Sequence, residues 1–275
     1  MAVSRRKVLQ RPLFGLFVVL LMLPTLFFFF WMISLSFKPD ADNLSYPPVF
    51  IPSGLTAKNY LSVFESSPFA RYALNSLIVA VGSTGLGLLL GIPAAYGIAR
   101  SARYGVGLFI LVARMTPALS YLIPWFILFQ RIGLANTYHA LILTHLIIGL
   151  PLIIWIMIGF FEDVHRDLED AAVIDGCSRF GSFVRVAMPL TRPGIAVAGI
   201  LAFIFSWNNF IFAVVLAGPR LQTLPVAIFN VLTFEQINWG PLAAAAILVT
   251  SPVLILAMLV QRHIITGLAA GGLKG

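Results

Sequence analysis

Charge is sparse in this 275-residue chain: Asp, Glu, Lys and Arg make up 10% of it, against 60% hydrophobic residues and a mean hydropathy of +0.97. No soluble domain of this length hides that much apolar surface, and the apolar stretches are long enough to cross a hydrocarbon core about 30 Å thick. Cysteine is scarcer still. Cys177 stands alone, which excludes an intrachain disulfide, and it reads as an inert small residue. No H-E-x-x-H pair and no cysteine cluster occurs, so nothing suggests a metal. No G-x-x-x-x-G-K-[ST] phosphate loop occurs either; the glycine-rich run from Gly82 to Gly97 holds no lysine and reads as apolar helix whose glycines permit close packing. The chain therefore has no means of hydrolysing ATP by itself, and it is not read as an enzyme. Low-complexity linkers and solenoid-period repeats are also missing, so a single domain over 1–275 is expected.

What the chain does have is a series of apolar spans, read at roughly 13–37, 74–99, 105–128, 138–160, 193–217 and 241–261. The expected fold is an all-α membrane protein of six transmembrane helices. The basic N-terminus resembles a signal peptide, but the run from Leu13 to Phe37 is too long for one and no A-x-A site follows. It is kept as the first helix. One set of flanks carries Arg5, Arg6, Lys7, Arg11, Arg100, Arg103, Arg166, Arg179, Arg185, Arg192, Arg262 and Lys274, the other only Lys38, Lys58, Arg71, Arg131 and Arg220. That asymmetry places both termini in the cytoplasm. The net charge of +8 is thus a topology signal and not a nucleic-acid surface, because the basic residues are spread over membrane flanks without interleaved aromatics. The Pro- and aromatic-rich segment from Lys38 to Tyr72 reads as a partly ordered cap or short surface helix on the outer side.

A polar stretch, LEDAAVIDGCSRFGSFVRVAMPLTRP, from Leu168 to Pro193 within the loop 161–192 and the start of the fifth span, interrupts this pattern. Leu168, Ala171, Ala172 and Asp175 fall at i, i+3, i+4 and i+7, one stripe of a short helix slim enough to enter a cleft. Asp175-Gly176 ends it, Ser178 suits an N-cap, and Phe180, Phe183 and Val184 give a second short helix an apolar face. Pro189 and Pro193 close the unit. Two readings stand on physics alone: a docking element for another protein, or an amphipathic helix lying on membrane lipid.

The order of elements resembles the EAA motif of the membrane subunits of ABC importers, with Asp170, Ala171, Ala172, Asp175, Gly176, Val186 and Pro189 in its places. Asp170 stands where that family usually has Glu, and Met188 where Leu is usual. The stretches RMTPALSYLIPWFILFQRIGLANTY, IFSWNNFIFAVVLAG and INWGPLAAAAILVTSPVLILAMLVQRHIITGLAAGGLKG resemble the maltose-type, carbohydrate-importing branch, and the terminal GLKG resembles the tail of the second permease of such systems. The resemblance implies a coupling helix between the fourth and fifth spans that docks on a cytoplasmic ATPase, with Glu169 and Phe180 joining the motif residues there. It also implies a homologous second permease, two ATPase subunits that hold ATP and Mg, an extracytoplasmic substrate-binding protein, and residence in the bacterial inner membrane.

Inside the spans, Arg114 sits midway along the third, where a charge costs about 3 kcal/mol on insertion scales. It either lines a solute route or pairs with another subunit, unless it snorkels to an interface. Ser120, Tyr121 and two prolines, Pro117 and Pro124, make the same span a candidate pathway wall. Trp207, Asn208 and Asn209 offer an aromatic face and amides to a sugar; equally, the asparagines serve as glue between helices. His139 and His145 lie six residues apart, on different faces, and read as helix glue and not a metal pair. The segment Gly218 to Gly240, with Pro219, Gln222, Glu235, Gln236, Asn238 and Trp239, reads as the surface for the binding protein or as an ordinary interfacial loop. The expectation is an importer subunit for a sugar or sugar-derived solute, with two alternatives. One is the same machinery for an anionic solute such as a glycerophosphate or sulfonated sugar, countered by Arg114; the other is a membrane scaffold that docks a cytoplasmic protein through the loop.

Overall fold

The computed structural model describes residues 2–101, 103–231 and 238–271. Its helices, in chain order, are α1 (Ala2–Phe37), α2 (Asp40–Asn43), α3 (Lys58–Ser66), α4 (Phe69–Ser101), α5 (Tyr104–Ala113), α6 (Ala118–Arg131), α7 (Tyr138–Glu162), α8 (Arg166–Ile174), α9 (Arg179–Ser182), α10 (Met188–Leu190), α11 (Arg192–Trp207), α12 (Ile211–Leu216), α13 (Leu224–Val231) and α14 (Trp239–Gly271). A single π-helical turn, Phe183–Ala187, joins α9 to α10. No strand occurs among the described residues. The chain divides into two compact units, Met1–Pro68 with Ile228–Thr250 and Phe69–Ala227 with Ser251–Gly275.

In the first unit, α1 is apolar on every side from Phe14 onward, and Phe14, Phe17, Leu21 and Phe28 are exposed. Such a helix suits a surrounding of lipid or another chain. Its last carbonyls lack intrahelical partners. Asn59 of α3 supplies them, its amide donating to Ser36 O and Lys38 O at 2.9 Å each, while Tyr60 and Ser36 share a hydroxyl bond of 2.9 Å. Gly240 lies so close to Asn59 that a Cβ there would come within 2.6 Å of its Oδ1. Lys38 is buried, bonded to the Val49 carbonyl and poised 4.1 Å from the Trp31 ring centre; burial holds its ammonium below the ordinary lysine value, with Asp42 acting in the opposite direction. Asp42 in turn accepts the Ser53 amide at 2.7 Å, and that bond lowers its carboxyl. The 38–72 segment is thus ordered around two short helices, α2 and α3.

The second unit is organised by α4 and α7, which run parallel and in close contact. A Cβ at Gly82 would meet Ile142 Cδ1 at 2.9 Å; at Gly87 and Gly91 it would meet Ile153 at 2.6 and 2.8 Å. Space demands glycine most firmly at Gly91, where the atoms met are Ile153 Cγ2 and Cβ; at Gly82 and Gly87 only the Cδ1 end of an isoleucine would have to swing aside. α11 packs antiparallel to both, with Gly199 against Leu88 and Gly194 against Phe160. One apolar core joins Ile92, Ile98, Ile153, Met157, Phe161, Phe183, Ala187 and Ala198 at one end of the helices. A second, at the other end, joins Val79, Phe129, Leu141, Phe212 and Leu216. There Asn75 is fully used: it donates to Arg220 O and Gln222 O at 3.0 and 2.8 Å and accepts from Tyr138 Oη at 2.7 Å. Ser76 Oγ accepts the Leu224 amide at 2.8 Å, so the 218–224 loop is pinned to α4.

Four helical stretches among the described residues are long and apolar enough to span a membrane, Phe14–Phe37, Phe69–Ser101, Tyr138–Glu162 and Trp239–Leu259. A fifth arises if Arg179–Leu190 and Arg192–Trp207, bent by 75°, count together. The expected continuous spans at 105–128 and 193–217 are instead divided. The first breaks between Ala113 and Ala118, where Pro117 has no amide to give and pushes Thr116 out of helical geometry. The second breaks after Trp207, where Asn209 Oδ1 accepts the Phe212 amide at 3.3 Å and so starts a new helix. Replacing Gly91 with Leu should force α4 from α7; overpacking of this kind costs about 1–3 kcal/mol, and the check is a lower melting temperature of the purified protein in mild detergent relative to Gly85→Leu, whose Cβ meets nothing within 4 Å.

Candidate functional site

The polar segment after α7 folds as two short helices around a capped corner. Gly176 adopts φ +95°, the Cys177 amide reaches back to Ala172 O at 2.9 Å and the Gly176 amide to Val173 O at 3.0 Å. This is the Schellman arrangement that ends a helix on a left-handed residue. A Cβ at Gly176 would meet nothing within 4 Å, so backbone sign and not space demands glycine. Ser178 then opens α9, its Oγ accepting the Gly181 amide at 3.0 Å. The π turn has a cause in Pro189: with no amide to offer Arg185 O and a ring that crowds it, the helix widens, and the Met188 amide pairs with Phe183 O. Thr191 Oγ bonds Ala187 O at 3.0 Å at the bend into α11.

The two faces of this corner differ. Glu169, Ser182, Phe183 and Ala187 are buried against the helices. Glu169 is only 8% exposed: its carboxylate accepts from Tyr96 Oη and from Arg100 Nη2, and from Arg100 Nε at 2.9 Å. The same guanidinium donates to Phe161 O at 2.8 Å and Val164 O at 3.2 Å, so it also satisfies the end of α7. Arg166 returns the favour by donating to Arg100 O at 3.1 Å, and Ser182 Oγ bonds Glu169 O at 3.2 Å. Tyr96 lies 4.5 Å from the Phe183 ring and 5.4 Å from that of Phe161, forming an aromatic floor under the ion pair. Removing one partner of a buried pair of this kind costs about 3–5 kcal/mol.

The opposite face is open. Ile174 is 85% and Phe180 73% exposed, with Leu168, Asp170, Ala171, Asp175 and Gly176 exposed beside them; Ala172, Val186 and Pro189 are half-buried. Large apolar side chains are thus uncovered on an otherwise charged segment, an arrangement that suits contact with another protein or with membrane lipid. Of the residues grouped by sequence for docking, Glu169 is thus turned the other way, because its carboxylate finds Arg100. Ile174 joins the open face unannounced, since its stripe differs from that of Leu168 and Asp175. Arg100 reads in sequence as a membrane-flank charge and Tyr96 as a span residue; only their spacing of one helical turn hints that they share a face.

Within the helices, the two breaks come together. Arg114, half-buried at the first, places its guanidinium 5.3 Å from the ring centre of Phe205, which lies just before the second. Tyr121 Oη closes the first break on Thr116 O at 2.6 Å, and Ser120 is exposed. Asn208 is exposed and Asn209 half-buried, whereas Trp207 is buried and stacks on Phe203 at 5.6 Å, so its indole is committed to packing. Behind them Ser206 Oγ bonds His145 Nδ1 at 2.8 Å and accepts from Ser83 Oγ at 3.0 Å, joining α4, α7 and α11. His139 is exposed, so the two histidines do face apart. Glu235, Gln236 and the terminal GLKG lie outside the described residues.

Residues 87–269 match the family described as binding-protein-dependent transport system inner membrane component. The chain is 35% identical over 269 residues to the sulfoquinovosyl glycerol transport system permease protein of Agrobacterium fabrum, covering 96% of this chain and 94% of that one. It is 35% identical over 279 residues to the trehalose/maltose transport system permease protein of Thermococcus litoralis, covering 98% and 99%. Its fold is similar to that of a bacterial ABC transporter involved in the import of the acidic polysaccharide alginate, with a TM-score of 0.76 at 20% identity over 95% of this chain and 97% of that one.

Gly176→Val should strain the corner. A left-handed backbone costs a side-chain-bearing residue about 1–2 kcal/mol, so amide hydrogen exchange at Asp175–Cys177 should quicken about tenfold while exchange in α7 stays unchanged. Equal protection in both proteins would show that the corner is held by something other than its cap.

Proposed function

The chain belongs to the family of binding-protein-dependent transport system inner membrane components, and from that premise we propose that it is a permease subunit of an ATP-driven importer for a carbohydrate or carbohydrate-derived solute. It acts as one membrane domain crossing six times, with α5 and α6 forming one interrupted crossing and α11 and α12 another, and with both termini in the cytoplasm. A homologous second permease completes the pathway. Two ATPase subunits that hold ATP and Mg dock on the 166–190 corner, and a substrate-binding protein delivers the solute from the other side. ATP-driven closure of the ATPase pair moves the corner and opens the pathway outward; hydrolysis resets it.

The observation that carries this reading is the pair of unlike faces on α8 and α9: one bonded into the helices, the other presenting Ile174 and Phe180 uncovered. The relatives named for trehalose/maltose and sulfoquinovosyl glycerol support the solute class. Ile174→Asp and Phe180→Asp should each reduce recovery of the ATPase with the tagged chain by about tenfold or more, the scale of a lost apolar anchor worth about 2 kcal/mol. Recovery equal to that of the unaltered chain would remove the docking role from this face.

A second reading, an anionic solute, is favoured by Arg114. It lies at a helix break, where the first amides of α6 have no side-chain cap, and one relative is named for a sulfonated sugar. Arg114→Gln should lower uptake of a sulfonated or phosphorylated glycoside about tenfold, one lost charge-assisted hydrogen bond, and change trehalose uptake less than about twofold. Equal loss for both would make Arg114 structural.

A further inference from the structure

On the reading of the 166–190 corner as the ATPase-coupling element, we infer that Glu169 is a positioning residue: with Arg100 and Tyr96 it forms the joint through which displacement of α8 reaches α4, and it makes no contact with the ATPase. Three observations carry this. First, Glu169 faces away from the open surface, and both of its carboxylate oxygens are occupied, one by Tyr96 Oη and the other by Arg100. Second, no other ion pair among the described residues joins these elements. Among the described residues there are two ion pairs; the other, Lys58–Asp40, is 3.9 Å long and exposed, whereas Arg100 and Glu169 retain side-chain exposures of only 16% and 10%.

Third, the bonds run in both directions between the same elements. Arg100 reaches from the last turn of α4 to the end of α7 and to α8, and Arg166, the first residue of α8, reaches back to the last carbonyls of α4. A planar guanidinium held at its Nε and both Nη atoms has one orientation, so α8 cannot slide along α4 without breaking charged bonds. The second short helix is tied to the same point by Ser182 and through the contact of Phe183 with Tyr96. A push on exposed Phe180, whose ring lies 6.1 Å from that of Phe183, therefore converges on the turn of α4 that carries Tyr96 and Arg100. From there α4 continues past Gly91, Gly87 and Ser83, the last bonded to Ser206 beside the break in α11.

The test uses the complete transporter in liposomes: this chain with its second permease, ATPase and binding protein, carrying Cys177→Ser and Asn208→Cys. Reaction of Asn208→Cys with an impermeant maleimide outside is compared with and without ATP–vanadate trapping, beside ATPase content and hydrolysis. In the parent complex, trapping raises the labelling rate. Glu169→Gln should keep the ATPase at parental stoichiometry and most of the hydrolysis, yet reduce the trapping-dependent rise by about threefold or more. Tyr96→Phe, which deletes one hydroxyl, should act in the same sense, and serves alone if Glu169→Gln fails to assemble. Loss of the ATPase from an otherwise folded Glu169→Gln chain would make Glu169 a docking residue and overturn the inference; an undiminished rise would overturn it too. A parent complex that shows no rise on trapping would instead defeat the coupling reading beneath it.

Discussion

The close approach of α4 and α7 is the contact from which the second unit is built. Between membrane helices lipid is as apolar as leucine, so burial from water contributes little and dense van der Waals contact must do the holding. Gly82, Gly87 and Gly91 remove the Cβ atoms that would keep the backbones apart, and Ile142 and Ile153 fill the notches. Parallel helices held this tightly present two ends with different tasks. At one, Asn75 and Tyr138 secure the 218–224 loop; at the other, Tyr96, Arg100 and Phe161 receive α8 and the π turn. The two ends are linked by close-packed helix contact, which transmits strain.

Against that rigid pair, α5–α6 and α11–α12 are interrupted. A break inside a bilayer is tolerated only where the freed backbone groups find partners or water. Both breaks show local repair, Tyr121 on Thr116 O and Asn209 on the Phe212 amide, and each has a polar side chain beside it, Arg114 at the first and Asn208 at the second. On the proposed transport role, these breaks are where a solute meets backbone and side-chain polarity inside the membrane.

Much of this was legible in the sequence because it rests on local rules. Composition demanded membrane helices; Gly176 and Ser178 marked the corner through the conformations that glycine and serine favour; and the Gly82–Gly97 run announced a close contact. Proline was legible as a stress but not as an outcome: Pro117 broke its helix, Pro189 widened one into a π turn, and Pro93 and Pro151 were absorbed within α4 and α7. The difference is set by which neighbour is available to satisfy the freed carbonyl, a tertiary fact. The inward turn of Glu169 was illegible for the same reason. In sequence it stands beside Asp170, and the two are chemically alike; only the position of Arg100, 69 residues earlier, separates their roles.

That separation bears on why the joint is ionic at all. A buried pair surrenders so much hydration that replacing it with well-packed apolar residues is often neutral or stabilising. Stability alone therefore does not account for placing Arg100 and Glu169 together, when Phe161, Phe183 and Tyr96 already supply an apolar floor there. Apolar contacts tolerate sliding, since their energy changes little over small displacements, whereas a guanidinium forked onto a carboxylate and two carbonyls has one geometry and loses energy steeply away from it. On the proposed coupling role, a small helix that hands a displacement to the end of a membrane helix needs the second kind of contact. Arg100 and Glu169 supply that register, and the aromatic floor lets it be kept out of water.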